Sequence, residues 1–577
     1  MKNRWFLLLL IVFAGLSHFS DGEVLSRKLI DYDDTSLIKP MVKLSLAEYF
    51  TEWLPIKSNH AHPIRDMTYF LDHQIGSLVG GSTYWLTNLL LFGLYLYFIL
   101  KIVELFISNQ LVSRSIIAIT TLHPINLEIL QWITSRKHLM VGLFLAPATY
   151  IVLQRFKNNK QLSIKDILLC FALYICGLLC YPTGIIWPFF LGLVLVLSKQ
   201  RSYLTLLSCL LLPLAAYNFL TTGQTDFART VLGYEWHHLK SLFWGIGRGA
   251  YTTVIPWPLS IYYNDTSILN IVGLIGLILG SVAFIVFAYR KSFFKSSIVP
   301  ILTLLLFLIA SLFIPQTKVL IIYPDFVWAD RYIFIILPYL LLIPALMLQE
   351  SKLLNPKIMG LCAAFTCICY TFINVHRTPL WRDTRFLLED CLKYENTPRC
   401  SLRLVNYHFV RSQCNSAKPF FEEYENLSQK HTVELNYEYF ADMPFYESSC
   451  IALHATMHPL QKTAAIEPLF HKYPGSGEPL FGLTLSLLEA GRLDDAIREA
   501  RSYYLSPSIE ANLGASNNVK QYYFGHIKAL CEIAGTLECH EGAANYYKKY
   551  HHMLVDKPRR ERAYKMTMFL WNRRHLF

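Results

Sequence analysis

Residues 5–34 read WFLLLLIVFAGLSHFSDGEVLSRKLIDYDD: a long apolar run, a short polar stretch, then the acidic cluster Asp31-Tyr32-Asp33-Asp34. Lys2 and Arg4 precede the run. Basic residues stay on the cytoplasmic side of a membrane segment, so this one is expected to enter with its N-terminus inside. The acidic cluster then emerges on the outer face, at the membrane edge. Adjacent carboxylates there repel one another and the anionic headgroups, a cost that is offset when they bind a cation or move a proton. The same residues also suit a solvated turn, because Asp-Asp-Thr-Ser is a good helix N-cap. Ala14, Gly15 and Ser20 are small enough for a cleaved signal peptide, but no clean small-x-small site precedes the acids, which favours a retained helix.

The apolar pattern repeats along the chain. Its 577 residues are 53% hydrophobic and 16% charged, with mean hydropathy +0.33. Apolar runs predict about eleven membrane helices, at 5–20, 84–107, 111–122 (short), 139–154, 166–181, 184–198, 202–220, 268–288, 297–314, 332–349 and 358–374. Alternate gaps carry Arg114, Arg155 with Lys157 and Lys160, Lys199 with Arg201, Arg290 with Lys291 and Lys295, and Lys352 with Lys357. These gaps are expected in the cytoplasm, which places residues 21–83, 123–138, 182–183, 221–267, 315–331 and everything after 375 outside it. The net charge of +12 thus owes much to orientation, and no clustered basic stripe suggests nucleic acid.

Beyond residue 377 the apolar runs stop and helical periodicity takes over. Residues 479–507, PLFGLTLSLLEAGRLDDAIREARSYYLSP, read as two antiparallel helices joined at Ala490-Gly491, with small residues at Gly482, Ala490, Ala496 and Ala500. A helix pair of this kind resembles a tetratricopeptide repeat. A weaker second unit is expected over Tyr522 to Pro558. Such stacks bind peptides or partner proteins in a concave face, or serve as a purely structural cap. Cys391, Cys400, Cys414, Cys450, Cys531 and Cys539 all fall in this exported part, where disulfides are permitted; Cys391/Cys400 and Cys531/Cys539 are the nearest pairs. The expected fold class is all-α: a polytopic membrane domain over 1–376 and an extracytoplasmic helical domain over 377–577, its repeats clearest at 479–558.

Chemistry-bearing residues concentrate in the outer gaps. His62-Pro63-Ile64-Arg65-Asp66 precedes Tyr84-Trp85-Leu86-Thr87-Asn88. His123, Pro124, Glu128, Trp132 and Arg136-Lys137 fill the second outer gap. Pro258-Leu259-Ser260-Ile261-Tyr262-Tyr263 ends the long one, and Ala329-Asp330-Arg331-Tyr332 enters the tenth span. Each has a plain structural role open to it: Arg136-Lys137 as a snorkelling anchor, the aromatics as an interfacial belt, Asp330-Arg331 as an ion pair. Arg331 stands out, since a positive charge at an outer helix end opposes the orientation rule.

Taken in order, these segments resemble the transmembrane and tetratricopeptide-repeat family of protein O-mannosyltransferase type, which are C-type glycosyltransferases. The match runs through the acidic start, P-x-x-x-(L/M)-(S/T)-(F/Y)-x-L-D at Pro63–Asp72, YxLTNLLL at 84–91, HPxxxExxxWxxxRK at 123–137, the Pro-Leu-Ser-x-Tyr-Tyr element, ADRY at 329–332, Trp381-Arg382-Asp383 and the repeats. The chain departs from the family pattern at His62 (usually Arg), at Asn126 and Phe92 (usually His), and in its short repeat array. The resemblance implies transfer of a sugar from a polyprenyl- or dolichyl-phosphate donor to a hydroxyl, such as Ser or Thr of an exported protein, on the outer membrane face. It implies direct displacement, with Asp34 or Asp33 as general base, Asp34 preferred, and Glu128 orienting acceptor or sugar. Arg331 and Arg136 are the expected phosphate partners. His123 would bind the phosphate or fix Glu128, and His62, Arg65, Trp132 and Tyr263 would position donor or acceptor. Mg2+ or Mn2+ would sit on Asp33, Asp34 and Glu128 if a metal takes part, although a base gains from being metal-free.

The main rival is a non-catalytic scaffold whose repeats assemble an envelope complex; it does not explain acids and cations gathered on one side. A transporter would instead place ionisable residues at mid-membrane depth, whereas Lys101 and Glu104 lie near the cytoplasmic end of their span. The short repeat array and simple N-terminus favour a bacterial inner membrane over the endoplasmic reticulum. The topology is checked by cysteine labelling. Cysteines introduced near Lys160, Lys199 and Lys291 should resist an impermeant outside reagent, and ones near Asp34, Thr225 and Ser516 should react. Reaction at Ser516 only after permeabilisation would overturn the orientation.

Overall fold

A computed structural model describes residues 2–22, 27, 29–30, 34–53, 62–181, 184, 187–198, 202–210, 236–263, 267–290, 299–313, 329–351, 353, 355–409, 411, 413–431, 461–462, 464–466, 479–504, 530 and 532. Among the described residues the protein is all-helical, without strands. It divides into two compact units, Met1–Cys400 and Ser401–Phe577.

The first unit contains α1 (Lys2–His18), α2 (Asp34–Met41), α3 (Pro63–Val79), α4 (Tyr84–Phe106), α5 (Gln110–Leu122), α6 (Asn126–Gln131), α7 (Arg136–Lys157), α8 (Ile164–Cys180), α9 (Trp187–Ser198), α10 (Trp236–Val254), α11 (Ile268–Arg290), α12 (Val299–Phe313), α13 (Leu337–Glu350), α14 (Pro356–Arg377) and α15 (Thr384–Glu395). Every expected apolar segment holds helix where it is described; 202–220 is described only to 210. Among the described residues three helices are long and apolar enough to cross a membrane: Tyr84–Phe106, Ile133–Lys157 and Pro356–Arg382. The 13 residues of α5 rise only about 20 Å, short of a bilayer core.

The helix packing follows from where the apolar side chains point. α4 packs on α7, α7 on α8, α14 on α5, and α1 against α4, α5 and α14. They enclose one core that includes Trp85, Tyr95, Leu139, Phe334 and Leu337. α14 reverses the pattern of a helix in water: Ile358, Leu361, Phe365, Ile368 and Phe372 form an exposed apolar stripe at helical spacing, while Asn374 and Arg377 are buried. An outward apolar stripe of this length suits lipid rather than water.

Residues 377–400, expected to open the C-terminal domain, pack with the first unit. The physical cause is polar. Arg248 of α10 pairs with Glu395 at 2.7 Å, Arg377 with Asp390 at 3.0 Å, and a Cys391–Cys400 disulfide closes the segment. Cys414 is also disulfide-bonded, while the expected Cys531/Cys539 pair lies outside the described residues.

The second unit includes α17 (Cys414–His431), α18 (Pro479–Glu489) and α19 (Leu493–Tyr504), following α16 (Pro398–Phe409), which crosses the division. α18 and α19 form the hairpin read from the sequence. Gly491 turns it at φ 73°, a left-handed conformation that favours glycine, and Leu483, Leu487 and Ala496 close its core. The proposed second repeat over 522–558 lies almost wholly outside the described residues.

The tightest crossing joins α10 and α11. A Cβ on Gly273 would lie 1.8 Å from the Gly247 carbonyl oxygen, and one on Gly247 would lie 2.1 Å from the Asn270 carbonyl oxygen. Small residues are what let two backbones approach this closely. Gly273→Ala should therefore destabilise the protein by about 1–3 kcal/mol, the usual cost of overpacking, whereas Gly276→Ala, where a Cβ meets open space, should be silent. Thermal unfolding in detergent compares the two.

Candidate active site

His123-Pro124 ends α5. Proline cannot continue the helix, and His123 is driven out of helical geometry at ψ 128°. The chain restarts at Asn126, which puts Glu128 in the first turn of α6, where the helix dipole favours an acid. Opposite it, Ala329 is extended and leads into a 3-10 turn at Asp330–Tyr332. One carboxylate fixes that turn twice. Glu128 Oε2 accepts the Arg331 backbone N–H at 2.8 Å, and Oε1 accepts the Arg331 guanidinium. The guanidinium also lies 5.0 Å from the ring centres of both Trp132 and Tyr332. Burial works against the Arg331 charge, but the Glu128 carboxylate more than offsets it and holds the group above its ordinary pKa.

Asp330 and Arg331 do not pair with each other. The Asp330 carboxylate receives the Tyr263 hydroxyl, which lies 2.8 Å from both of its oxygens. Tyr263 accepts the Ser260 N–H at 3.0 Å, and its ring lies 4.0 Å beneath the Arg248 guanidinium. Burial, with the Glu128 charge adding to it, pushes Asp330 up to about 8; the Tyr263 hydrogen bond, Arg248 and Arg377 pull the other way. Glu128, Asp330, Ser260, Arg377 and Trp381 line one small recess of about 10 Å³, close to the room one water needs. Four separate sequence motifs thus meet at a single point.

The other expected site residues have different surroundings. Asp34 is fully buried at the start of α2, and its carboxylate accepts the backbone N–H groups of Thr134 (2.9 Å) and Ile133 (3.3 Å). It thereby caps the 3-10 turn that leads into α7. Asp33 lies outside the described residues. Arg136, expected on a phosphate, is fully buried and engaged: it pairs with Asp72 at 2.6 Å and donates to Asn88 Oδ1, Thr68 Oγ1 and the Tyr84 carbonyl. Arg65 pairs with Asp66, whose other oxygen receives Tyr49. His62 presents its ring edge to Tyr181 at 5.3 Å.

The ring nitrogens of His123 are engaged away from Glu128. Its Nε2 contacts the Thr253 carbonyl at 3.1 Å and its Nδ1 accepts the Ile125 N–H at 3.3 Å. Burial pushes it down to about 4, so it is neutral at pH 7. Among the described residues no group of three His, Cys, Asp or Glu side chains is placed to hold a metal ion. Asp34 and Glu128 are already engaged by N–H donors.

Arg248, Asp330, Arg377 and Glu395 were not singled out from the sequence as site residues. Asp330 was within reach, as the acid of the same ADRY motif. Arg248 carried a weaker signal, a lone arginine in the glycine-rich stretch WGIGRGAY. Because the folded Asp330 titrates near 8 against an ordinary value of 3.8, the native state holds a proton that the unfolded chain releases. Its contribution to stability is full below the ordinary value and is lost as pH rises toward 8. Asp330→Asn should flatten that decline, measured as the unfolding midpoint across pH 4 to 8. No family model matches the chain, and neither a curated protein nor a solved structure matches it at the significance required.

Proposed function

We propose that this chain is a polytopic membrane glycosyltransferase. It moves a sugar from a polyprenyl- or dolichyl-phosphate to a hydroxyl of an exported protein on the outer membrane face, and its helical repeats engage the acceptor. The observation that carries this reading is the convergence of the HPxxxE, Pro-Leu-Ser-x-Tyr-Tyr, ADRY and Trp381 segments on one recess that holds two acids and borders two arginines. A scaffold does not by itself call for two acids and an arginine gathered at one recess.

In the proposed reaction the acceptor oxygen attacks the anomeric carbon. Its proton passes to a carboxylate, the new C–O bond forms, and the bond from the anomeric carbon to the phosphate oxygen breaks, releasing lipid phosphate. Asp34, or its neighbour Asp33, takes the proton. Two backbone N–H groups hold the Asp34 carboxylate in place. Glu128 orients the sugar or acceptor, and Arg331 carries the charge that develops on the leaving phosphate. About eleven membrane helices, an exported C-terminal domain and a bacterial inner membrane, with endoplasmic reticulum as the alternative, complete the proposal.

The test is transfer of labelled sugar from dolichyl-phosphate mannose to a Ser/Thr peptide by purified protein. Asp34→Asn should lower turnover about 10²–10⁴-fold, the range that general-base catalysis supplies. Arg331→Ala should abolish transfer, and Arg331→Lys should restore only part of it, because an ammonium lacks the planar fork. A scaffold gives the opposite result: Arg331 variants silent, and deletion of 479–558 decisive for partner capture.

A further inference from the structure

The most conspicuous polar group that this mechanism does not use is His138, in the first turn of α7. It is 1% exposed, and neither ring nitrogen has a hydrogen-bond partner. Buried polar groups are normally hydrogen-bonded, so a buried imidazole with both nitrogens open marks a place where a partner is missing. Its surroundings identify the partner's charge. The His138 ring lies 5.0 Å from Tyr181 and 6.3 Å from Tyr332. The same Tyr181 ring carries the Lys137 ammonium at 4.6 Å and the His62 ring at 5.3 Å, while Tyr332 carries Arg331 at 5.0 Å. Two tyrosines therefore gather a lysine, two histidines and the Glu128-paired Arg331 at the head of a 22-residue helix, whose dipole adds positive potential. His62, Lys137, Tyr181 and Tyr332 are only half-buried, which leaves the cluster an opening.

We propose that Lys137 and His138, with His62, Tyr181 and Tyr332 around them, form a binding site for a phosphate group carried on a membrane lipid. The chemistry is that of a phosphate oxyanion: a lysine supplies the point charge, and an imidazole N–H supplies a directed donor. The lipid carrier follows from position. α7 lies in one of the three helices long and apolar enough to cross a membrane, and the cluster sits at its end, so a ligand here lies at headgroup height. This inference rests on the glycosyltransferase reading for its orientation, and it moves the donor phosphate from the engaged Arg136 to the two residues that follow it.

Full-length protein in detergent is titrated with dolichyl phosphate, with dolichol, and with inorganic phosphate alone, and retained ligand is measured by native mass spectrometry. Wild type should retain dolichyl phosphate and release dolichol. His138→Phe, which keeps the ring between the tyrosines, and Lys137→Gln, at a half-buried position, should each weaken retention about tenfold, the loss of one charge-assisted hydrogen bond. Unchanged retention in a folded Lys137→Gln and a folded His138→Phe overturns the site. Equal retention of dolichol overturns the phosphate, and inorganic phosphate binding as tightly as the lipid overturns the lipid carrier. If wild type transfers sugar while both variants bind normally, this inference fails and the enzyme stands. If wild type binds dolichyl phosphate through these residues yet moves no sugar, the enzyme reading fails and the site stands.

Discussion

The pairing of Glu128 with Arg331 is the constraint on which the rest of the site depends. The two residues are 203 positions apart in the chain, and both are buried. Neither charge is tolerable alone in such a place: removing one partner of a buried pair costs about 3–5 kcal/mol. The bond to the Arg331 backbone N–H adds direction to charge, because it fixes the 3-10 turn as well as the side chain. With that turn fixed, Asp330 has one course left, toward Tyr263. Tyr263 in turn supports Arg248, and Arg248 holds Glu395. Helices α6, α10 and α15 are thereby tied to one point by alternating acids, cations and a phenol.

Most arginines near this site serve structure. Arg65 is engaged by Asp66, Arg136 by Asp72 and three neutral acceptors, Arg248 by Glu395, and Arg377 by Asp390. A buried guanidinium with five donors demands that many acceptors, and α3 and α4 supply those of Arg136. An arginine satisfied in this way is a strut, and recruiting it to a phosphate means breaking several bonds first. His138, by contrast, has no hydrogen bond on either ring nitrogen, and the proposed anion site falls on it and Lys137, the two residues that follow Arg136.

Local elements were legible in the sequence because their causes are local. Apolar runs marked α1, α4, α5, α7 to α9 and α11 to α14, and Pro124 marked the break that sets Glu128 in a new first turn. Ala490-Gly491 marked the hairpin of α18 and α19. Glu128, Trp132, Tyr263 and Arg331 also stood out in the sequence, as polar and aromatic residues in the gaps between apolar runs. Connectivity was not legible, and the structure joins Cys391 to Cys400, one of the two nearest pairs.

Tertiary structure alone decided who partners whom. Nothing in the order of residues 31–34 announces that Asp34 caps a turn 100 residues away, or that Arg136 is consumed by Asp72 while His138 is left without a bond. Nor does composition show that residues 377–400 pack with the helices before them, because the ion pair that draws them there begins at Arg248. The physical reason is range. Helix formation depends on neighbours three and four positions apart, whereas the state of a buried charge depends on whichever opposite charge the fold brings within a few ångströms. The sequence therefore determined the helices and the residue types available for chemistry, and the fold decided which of those residues are engaged and which are left to bind.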